Sequence, residues 1–366
     1  MAGVLVVLAL GASFLRDPAA PDRLVSAIAD AVGLDGVAEG IRDRGLTSAT
    51  AKVVTAVIAL AVGFGGVWAL FFAANGLVDR VGLRVREHIR PWVFVGPAVA
   101  LIGFYLVFPT VSTIVTSFTE GDGAANYRFA LTDPAMLTAF RNNVLWLVLG
   151  TAGSVGIGLL VAALVDRVKR EALAKTFIFL PMAISMVGAS VIWRFIYAWK
   201  PPGEEQIGVL NAVTTAFGAE PTPWLQTPPI NTLALIMILV WLQTGLAMVV
   251  LSAALKSVPT ELIEAARIDG AGELRLFFSI VLPTIRPTVV TVATIIAITV
   301  LKVFDIVFVI TGGGFDTEVI ANRMFVEMFK FRNFGRASAI AVVLFVLVVP
   351  FIVLNVRRQR HRGFAG

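Results

Sequence analysis

Residues 258–283, VPTELIEAARIDGAGELRLFFSIVLP, concentrate polar chemistry in an apolar sequence: Glu261, Glu264, Asp269 and Glu273 with Arg267 and Arg275 around Gly270 and Gly272. Elsewhere, Arg194, Lys302 and Asp305 are the charges set more than two residues from the ends of apolar runs, and Gln243, Thr244 and Thr299 add polar groups there. A charge inside a membrane is costly and faces a cavity or a partner. No His, Asp and Glu residues cluster at catalytic or metal-binding spacing, which argues against a membrane-embedded enzyme. His88 and His361 sit in charged loops, and the absence of cysteine excludes disulfides and thiolate metal sites. The chain has no G-x-x-x-x-G-K-[ST], no G-x-S-x-G and no H-E-x-x-H. It therefore has no phosphate-cradling loop with which to hydrolyse ATP alone.

These groups sit in a chain of 366 residues, 58% of them hydrophobic. Crossing a bilayer as a helix takes about 20 apolar residues. Such runs lie at 51–74, 91–118, 140–165, 173–198, 230–255, 287–310 and 336–356, with a shorter one at 1–15. The runs are too long and too uniformly apolar for barrel strands, and helices satisfy their own backbone in lipid. The expected fold is an all-α, polytopic transmembrane helix bundle of about eight spans. Connections 75–90, 166–175, 256–286 and 357–366 hold 16 Lys and Arg in 67 residues, against 10 in 111 for the other set. The positive-inside bias puts the first set, and the C-terminus, in the cytoplasm, and it accounts for the formal charge of +6 without nucleic acid. On the other side, 16–50 is an acidic loop, and 200–229 is a turn-rich loop that composition predicts to be ordered. Arg323, Glu327 and Lys330 share one stripe of an amphipathic helix, which lies either in the membrane interface or against its own bundle.

The stretch 258–283 is too polar for lipid and too short for a domain. Pro259 suits the first position of a helix, and Glu261 and Glu264 favour its N-terminal end. Leu262, Ala265 and Ala266 form a thin face that another surface can approach. Gly270 falls where the helix should end with positive φ. A second helix follows from about Gly272, with Pro283 expected to stop it and Pro287 to begin the next span. The result is a two-helix elbow between spans six and seven. Lys302 and Asp305, three apart on span seven, share a face. They either lock the bundle as an ion pair or line a path for a hydroxyl-rich solute.

Glu264-Ala265-Ala266, three residues, Gly270, nine residues and Ile280-x-Leu282-Pro283 resemble the EAA signature of importer permeases of the ABC class. With PWVFVGPA, FIFLPMAISMVGASVIWRF, EEQIGVLNAV, WLQTGLAMVVLSAALKSVP, LKVFDIVFVITGGGFDTEVIANRMF and NFGRASAIAV, the chain from about 90 to 366 resembles the maltose and α-glucoside carbohydrate permeases. The resemblance implies a type I importer permease domain over 90–366. Residues 1–89, with the first two spans and the acidic loop, carry little of it. It implies that Glu264, Ala265, Ala266, Asp269, Gly270, Ile280, Leu282 and Pro283 form a coupling loop that docks on a separate ATPase and acts as a rigid lever. It also implies a solute path near Met182, Leu242, Gln243, Leu246, Thr299, Val300 and Val303, with Lys302 and Asp305 beside it. Val300, Val303 and Leu246 stand where the maltose case has amides or an aromatic, so sugar bonds would shift to Gln243, Thr299 and Lys302 or specificity would rest with an external protein.

The expected function is thus the permease subunit of an ATP-driven importer of a di- or oligosaccharide, such as maltose or trehalose, in a bacterial plasma membrane. The implied partners are a second permease, two copies of a cytoplasmic ATPase that carries ATP and Mg, an extracellular or periplasmic sugar-binding protein or lipoprotein, and membrane lipids. No cofactor is expected in this chain. The alternative is an ion-gradient-driven secondary transporter with Lys302 and Asp305 as coupling groups. Such transporters often show two similar halves, and no convincing repeat is visible here.

Overall fold

A computed structural model describes residues 98–363 except 167, with a few isolated positions between 65 and 96. The expected span 1–15, most of 51–74, the acidic loop 16–50, His88 and the His361 side chain lie outside the described residues. Every regular element among the described residues is a helix. The chain divides into two compact units, Met1–Thr110 and Val111–Gly366. In the first, the rings of Trp68 and Phe72 meet at 4.3 Å.

The helices are α1 (Ala98–Thr119), α2 (Gly123–Thr132), α3 (Pro134–Val165), α4 (Glu171–Ala183), α5 (Met186–Ile196), α6 (Val209–Ala216), α7 (Ile230–Lys256), α8 (Thr260–Ile268), α9 (Glu273–Leu301), α10 (Asp305–Ile310), α11 (Ile320–Phe325) and α12 (Phe334–Gly363). A wide, π-type turn over Val326–Lys330 continues α11. Helices α1, α3, α7, α9 and α12 are each long and apolar enough to cross a membrane; α4 and α5 together make a sixth if the bent pair is one span.

Two expected spans take a different course. Span five is not one rod: α4 and α5 meet at a bend of 101°. Pro181 lies in the tight turn that ends α4, and Ser185 starts a new helix by accepting the Gly188 N–H at 3.0 Å. The elbow's second helix and span seven are one helix, α9, so Pro283 does not stop it. The wide turn Phe277–Val281 just before Pro283 relaxes the ladder where that residue lacks a donor. Helix α9 then ends at Leu301 rather than 310. Lys302, Val303 and Phe304 leave the helix before α10 begins.

The second unit is built around α7, of which Leu235, Ile238, Leu239, Ala247, Met248 and Leu251 are wholly buried. Its partner α3 presents Gly150, Ser154, Gly158 and Ala162 at four-residue intervals, a stripe of small side chains. Lipid tails are as apolar as leucine, so helices in a bilayer associate by close packing rather than by hydrophobic exclusion. A Cβ on Gly158 would lie 2.4 Å from the Ala247 Cβ, and one on Gly153 3.0 Å from Val240 Cγ2. On its far side, α7 brings Gly245 against α4, where a Cβ would meet Ile178 O and Phe179 Cα at 2.9 Å. Helices α9 and α12 complete the bundle, with α2 and α11 packed on α12 around Ile340 and Met136.

Gly158→Leu should force α3 and α7 apart and lower the thermal unfolding temperature of the purified protein, with a cost of about 3 kcal/mol or more. Gly156→Ala, at a glycine with nothing within 4 Å of an added Cβ, should leave it unchanged.

Candidate functional site

The elbow is formed by α8, the turn at Gly270 and the start of α9. The α8 end closes as a Schellman motif: the Ala271 N–H donates to Ala266 O at 2.9 Å and the Gly270 N–H to Arg267 O at 3.0 Å. Gly270 has φ +80°, as its position at the end of the helix predicts. Pro259 is the cap residue before α8, not its first residue. Arg267 and Glu273 pair across the turn at 2.9 Å.

Ala266 turns inward, unlike the outward face expected of it, and packs with Val258, Leu276, Val281 and Ile285 in a small core. The reason is helical geometry: Ile263 and Ala266 are three apart and fall on the side that meets the bundle. Ile280 and Leu282 pack at the edge of the same core. Glu264, Ala265, Asp269, Gly270 and Pro283 are exposed. Leu262, Ile268 and Leu274 are exposed at 47%, 86% and 77%, so the outer side of the elbow is apolar among charges. An apolar surface of that kind outside the spans is what a partner-binding face looks like.

A polar network ties the elbow's base to the bundle. Lys175 Nζ pairs with Asp166 at 2.8 Å and Glu171 at 2.5 Å, and it also donates to Ser252 Oγ. Ser252 Oγ in turn donates to Asp166 Oδ1 at 2.7 Å. Lys256, in the last turn of α7, reaches Glu171 at 2.5 Å. Helices α3, α4 and α7 are thereby fastened where α7 hands over to the elbow. Sequence reading missed this cluster, because Ser252 and Lys256 lie 77 to 86 residues along the chain from the Asp166, Glu171 and Lys175 groups they meet.

The residues expected along a solute path separate into two groups. Leu242, Val300 and Val303 are buried in the chain's own core at 4%, 0% and 2% exposure. Gln243, Leu246 and Thr299 are partly exposed, and Met182 and Lys302 are exposed. Met182 lies in the turn at the α4–α5 break, which packs on α7; Lys302 lies in the break after α9. Gln243 has no hydrogen-bond partner among the described residues, while Thr299 Oγ1 donates back to Ile295 O at 3.2 Å. The ion pair weighed for Lys302 and Asp305 is not formed, since the helix ends between them and their shared face is lost. Broken helices at a bundle interior free backbone groups and side chains to meet a solute.

Those freed backbone groups are held by amides. Asn143 Nδ2 donates to Leu301 O at 3.2 Å, and its Oδ1 accepts the Ile320 N–H at 2.9 Å. Asn142 Nδ2 donates to Asp316 O and Glu318 O, and Asn231 Nδ2 to Phe315 O at 2.6 Å. They fix the loop in which Phe315 and Asp316 take φ +54° and +60°. Burial pushes the Glu318 carboxyl above the ordinary carboxylate range, against hydrogen bonds from Asn322 and the Val319 N–H and the nearby Arg323 charge. The amphipathic helix expected over Arg323 to Lys330 packs on its own bundle. Its Arg323–Glu327 pair, 2.6 Å long, points inward with the guanidinium 5.5 Å from the Phe129 ring centroid.

An all-helical membrane bundle with broken spans around a buried central helix, and an exposed elbow between two spans, defines a membrane-embedded transport subunit. Residues 154–361 match the family described as binding-protein-dependent transport system inner membrane component, and the chain belongs to it. It is 55% identical over 271 residues to the osmoprotective compounds uptake permease protein GgtC of Synechocystis, covering 73% of this chain and 97% of that one. It is 43% identical over 331 residues to the alpha-glucoside transport system permease protein AglF of Rhizobium meliloti, covering 85% and 98%. A crystal structure of a bacterial ABC transporter involved in the import of the acidic polysaccharide alginate shares the fold at a TM-score of 0.66 and 19% identity, over 76% of this chain and 99% of that one.

Asn143→Leu leaves Leu301 O and the Ile320 N–H without their partner. It should cost about 2–4 kcal/mol, read as a lowered unfolding temperature of the purified protein. Asn143→Asp keeps an acceptor for the Ile320 N–H but buries a carboxyl with one oxygen against Leu301 O, so it should lower the unfolding temperature at least as much as Asn143→Leu.

Proposed function

We propose that this chain is one of two membrane-spanning halves of an ATP-driven importer for an α-glucoside or a related small saccharide. The observation that carries the reading is the elbow, a stiff two-helix projection whose outward side exposes Leu262, Glu264, Ala265, Ile268 and Leu274. With the elbow on the cytoplasmic side, as the positive-inside count places it, that face meets a separate ATPase that binds ATP and Mg. An ATPase dimer offers two clefts, so a second permease with its own elbow completes the complex. The family's description supports delivery of the solute by a binding protein from the other side. The relative named for alpha-glucosides, 43% identical to this chain, supports the substrate class.

Alternating access then follows from the helices. Closure of the ATPases moves the two elbows, and α9 carries the displacement without a stop at Pro283. The break at Lys302–Phe304 and the α4–α5 bend lie at its far end. Gln243, Leu246, Thr299, Met182 and Lys302 offer side-chain surface to a solute. Leu242, Val300 and Val303 shape the wall from behind. Asp305, half-buried beside the break, sets the local charge.

Glu264→Lys should abolish co-purification of the ATPase with the permease and lower ATP-dependent uptake at least tenfold, while the permease itself stays folded. ATPase association unchanged by this substitution, or uptake by this chain alone driven by an ion gradient, would overturn the reading. Gln243→Ala and Thr299→Ala should lower uptake several-fold without dissociating the complex, measured in proteoliposomes with radiolabelled maltose and trehalose.

A further inference from the structure

At the end of the second unit opposite the elbow, a cavity of about 660 Å³ opens between α5, the connection 198–229 and the loop after α10. Its walls are preassembled. Asn211, wholly buried, donates to Ala198 O and Thr222 O at 3.0 Å each. Its Oδ1 accepts the Trp224 indole N–H and the Thr222 N–H at 2.9 Å. The Trp199 indole N–H is bound to Pro221 O at 3.2 Å, and the Tyr197 hydroxyl to Ala234 O at 3.0 Å. On the other wall, Asn231 holds Phe315 by its carbonyl. The polar edges of these aromatic residues are therefore spent within the protein, and their rings frame the space.

Two lining side chains are left over. The Arg194 guanidinium and the Gln226 amide make no hydrogen bond or ion pair among the described residues, and both line this cavity. Both are exposed, so water meets them in the free protein. What sets them apart from an arginine snorkelling at a span end is that they line one cavity together with aromatic rings. A mostly apolar pocket of several hundred Å³ with a few convergent polar groups is the usual form of a small-molecule site. A lone acidic side chain would be met by Arg194 and leave most of the volume empty. A disaccharide presents hydroxyls to a guanidinium and an amide, and C–H faces to aromatic rings.

We infer that this cavity is a saccharide-binding site at the outer mouth of the permease, separate from the residues at the broken helices and occupied before the solute enters the membrane. The inference rests on the importer reading and goes beyond it. It assigns Arg194 and Gln226 to hydrogen bonding and the Trp199, Trp224 and Phe315 rings to stacking.

The test uses the complete importer complex in lipid nanodiscs, without binding protein and without ATP. Maltose and trehalose are titrated, with tryptophan fluorescence and ligand-observed NMR as readouts. Saturable binding of at least one of the two is expected. Arg194→Gln and Gln226→Leu should each weaken it on the order of tenfold. Neither side chain bonds anything among the described residues, so both variants should fold and keep their ATPase. No saturable binding of either sugar, or binding unaffected by both variants, would overturn the inference. So would a loss of binding-protein docking on Arg194→Gln with the sugar titration unchanged, which would make the cavity a protein contact. Uptake of maltose and trehalose by the unmodified complex is measured in parallel. Retained ATP-dependent uptake with no sugar bound in the nanodisc titration removes the cavity site and leaves the importer standing.

Discussion

Backbone-to-backbone contact along α7 is the constraint from which the rest of the second unit follows. Gly158 on α3 and Gly245 on α7 itself allow approaches that a single methyl group would block. In lipid, where burial of leucine gains little over exposure of leucine to acyl chains, such contacts supply the cohesion. With α3 on one side and the end of α4 on the other, α7 has little surface left for lipid, and both breaks in the neighbouring helices are pressed toward it.

The second requirement is polar. A broken span exposes carbonyls and amides that lipid cannot satisfy, and each unpaired group costs several kcal/mol there. The molecule answers with asparagine. Asn142, Asn143, Asn211 and Asn231 each present donor and acceptor from one rigid amide, and all four are almost wholly buried. The elbow end uses charges instead, in the Asp166–Lys175–Glu171–Lys256 network with Ser252. The two ends thus differ in kind: neutral amides hold irregular backbone at one end, and ion pairs clamp helix ends together at the other.

Much of this was legible in the residues. Apolar runs placed the five helices long enough to cross a membrane and the bent α4–α5 pair, and positive φ at Gly270 followed from its place after α8. The EAA spacing picked out the elbow. What could not be read were consequences of packing. Pro283 signals a stop, but a wide turn one residue earlier absorbs it. Lys302 and Asp305 share a face only while the helix continues, and nothing local says that it ends at Leu301. Ala266 belongs to the exposed motif by sequence and to a small core by geometry. The asparagines did leave a trace, as paired amides in RNNVLW and a single one in PPINTL beside apolar runs. These residues sit in helices near the starts of their runs, and the irregular backbone they hold lies far along the chain at Leu301 and 315–320, which the sequence does not reveal.

The small-residue stripe of α3 also bears on how the chain is made. Synthesis runs from the N-terminus, so α3 enters the bilayer well before α7 exists. Until Lys256 has been added, the groove at Gly150, Gly153 and Gly158 is lined by acyl chains, and the asparagines at the start of α3 have neither Leu301 nor Ile320 to bind. The bundle therefore closes late, from its centre outward. Helix α3 satisfies its own backbone on insertion, but the Asn142 and Asn143 side chains wait for residues 301–320 before they have partners.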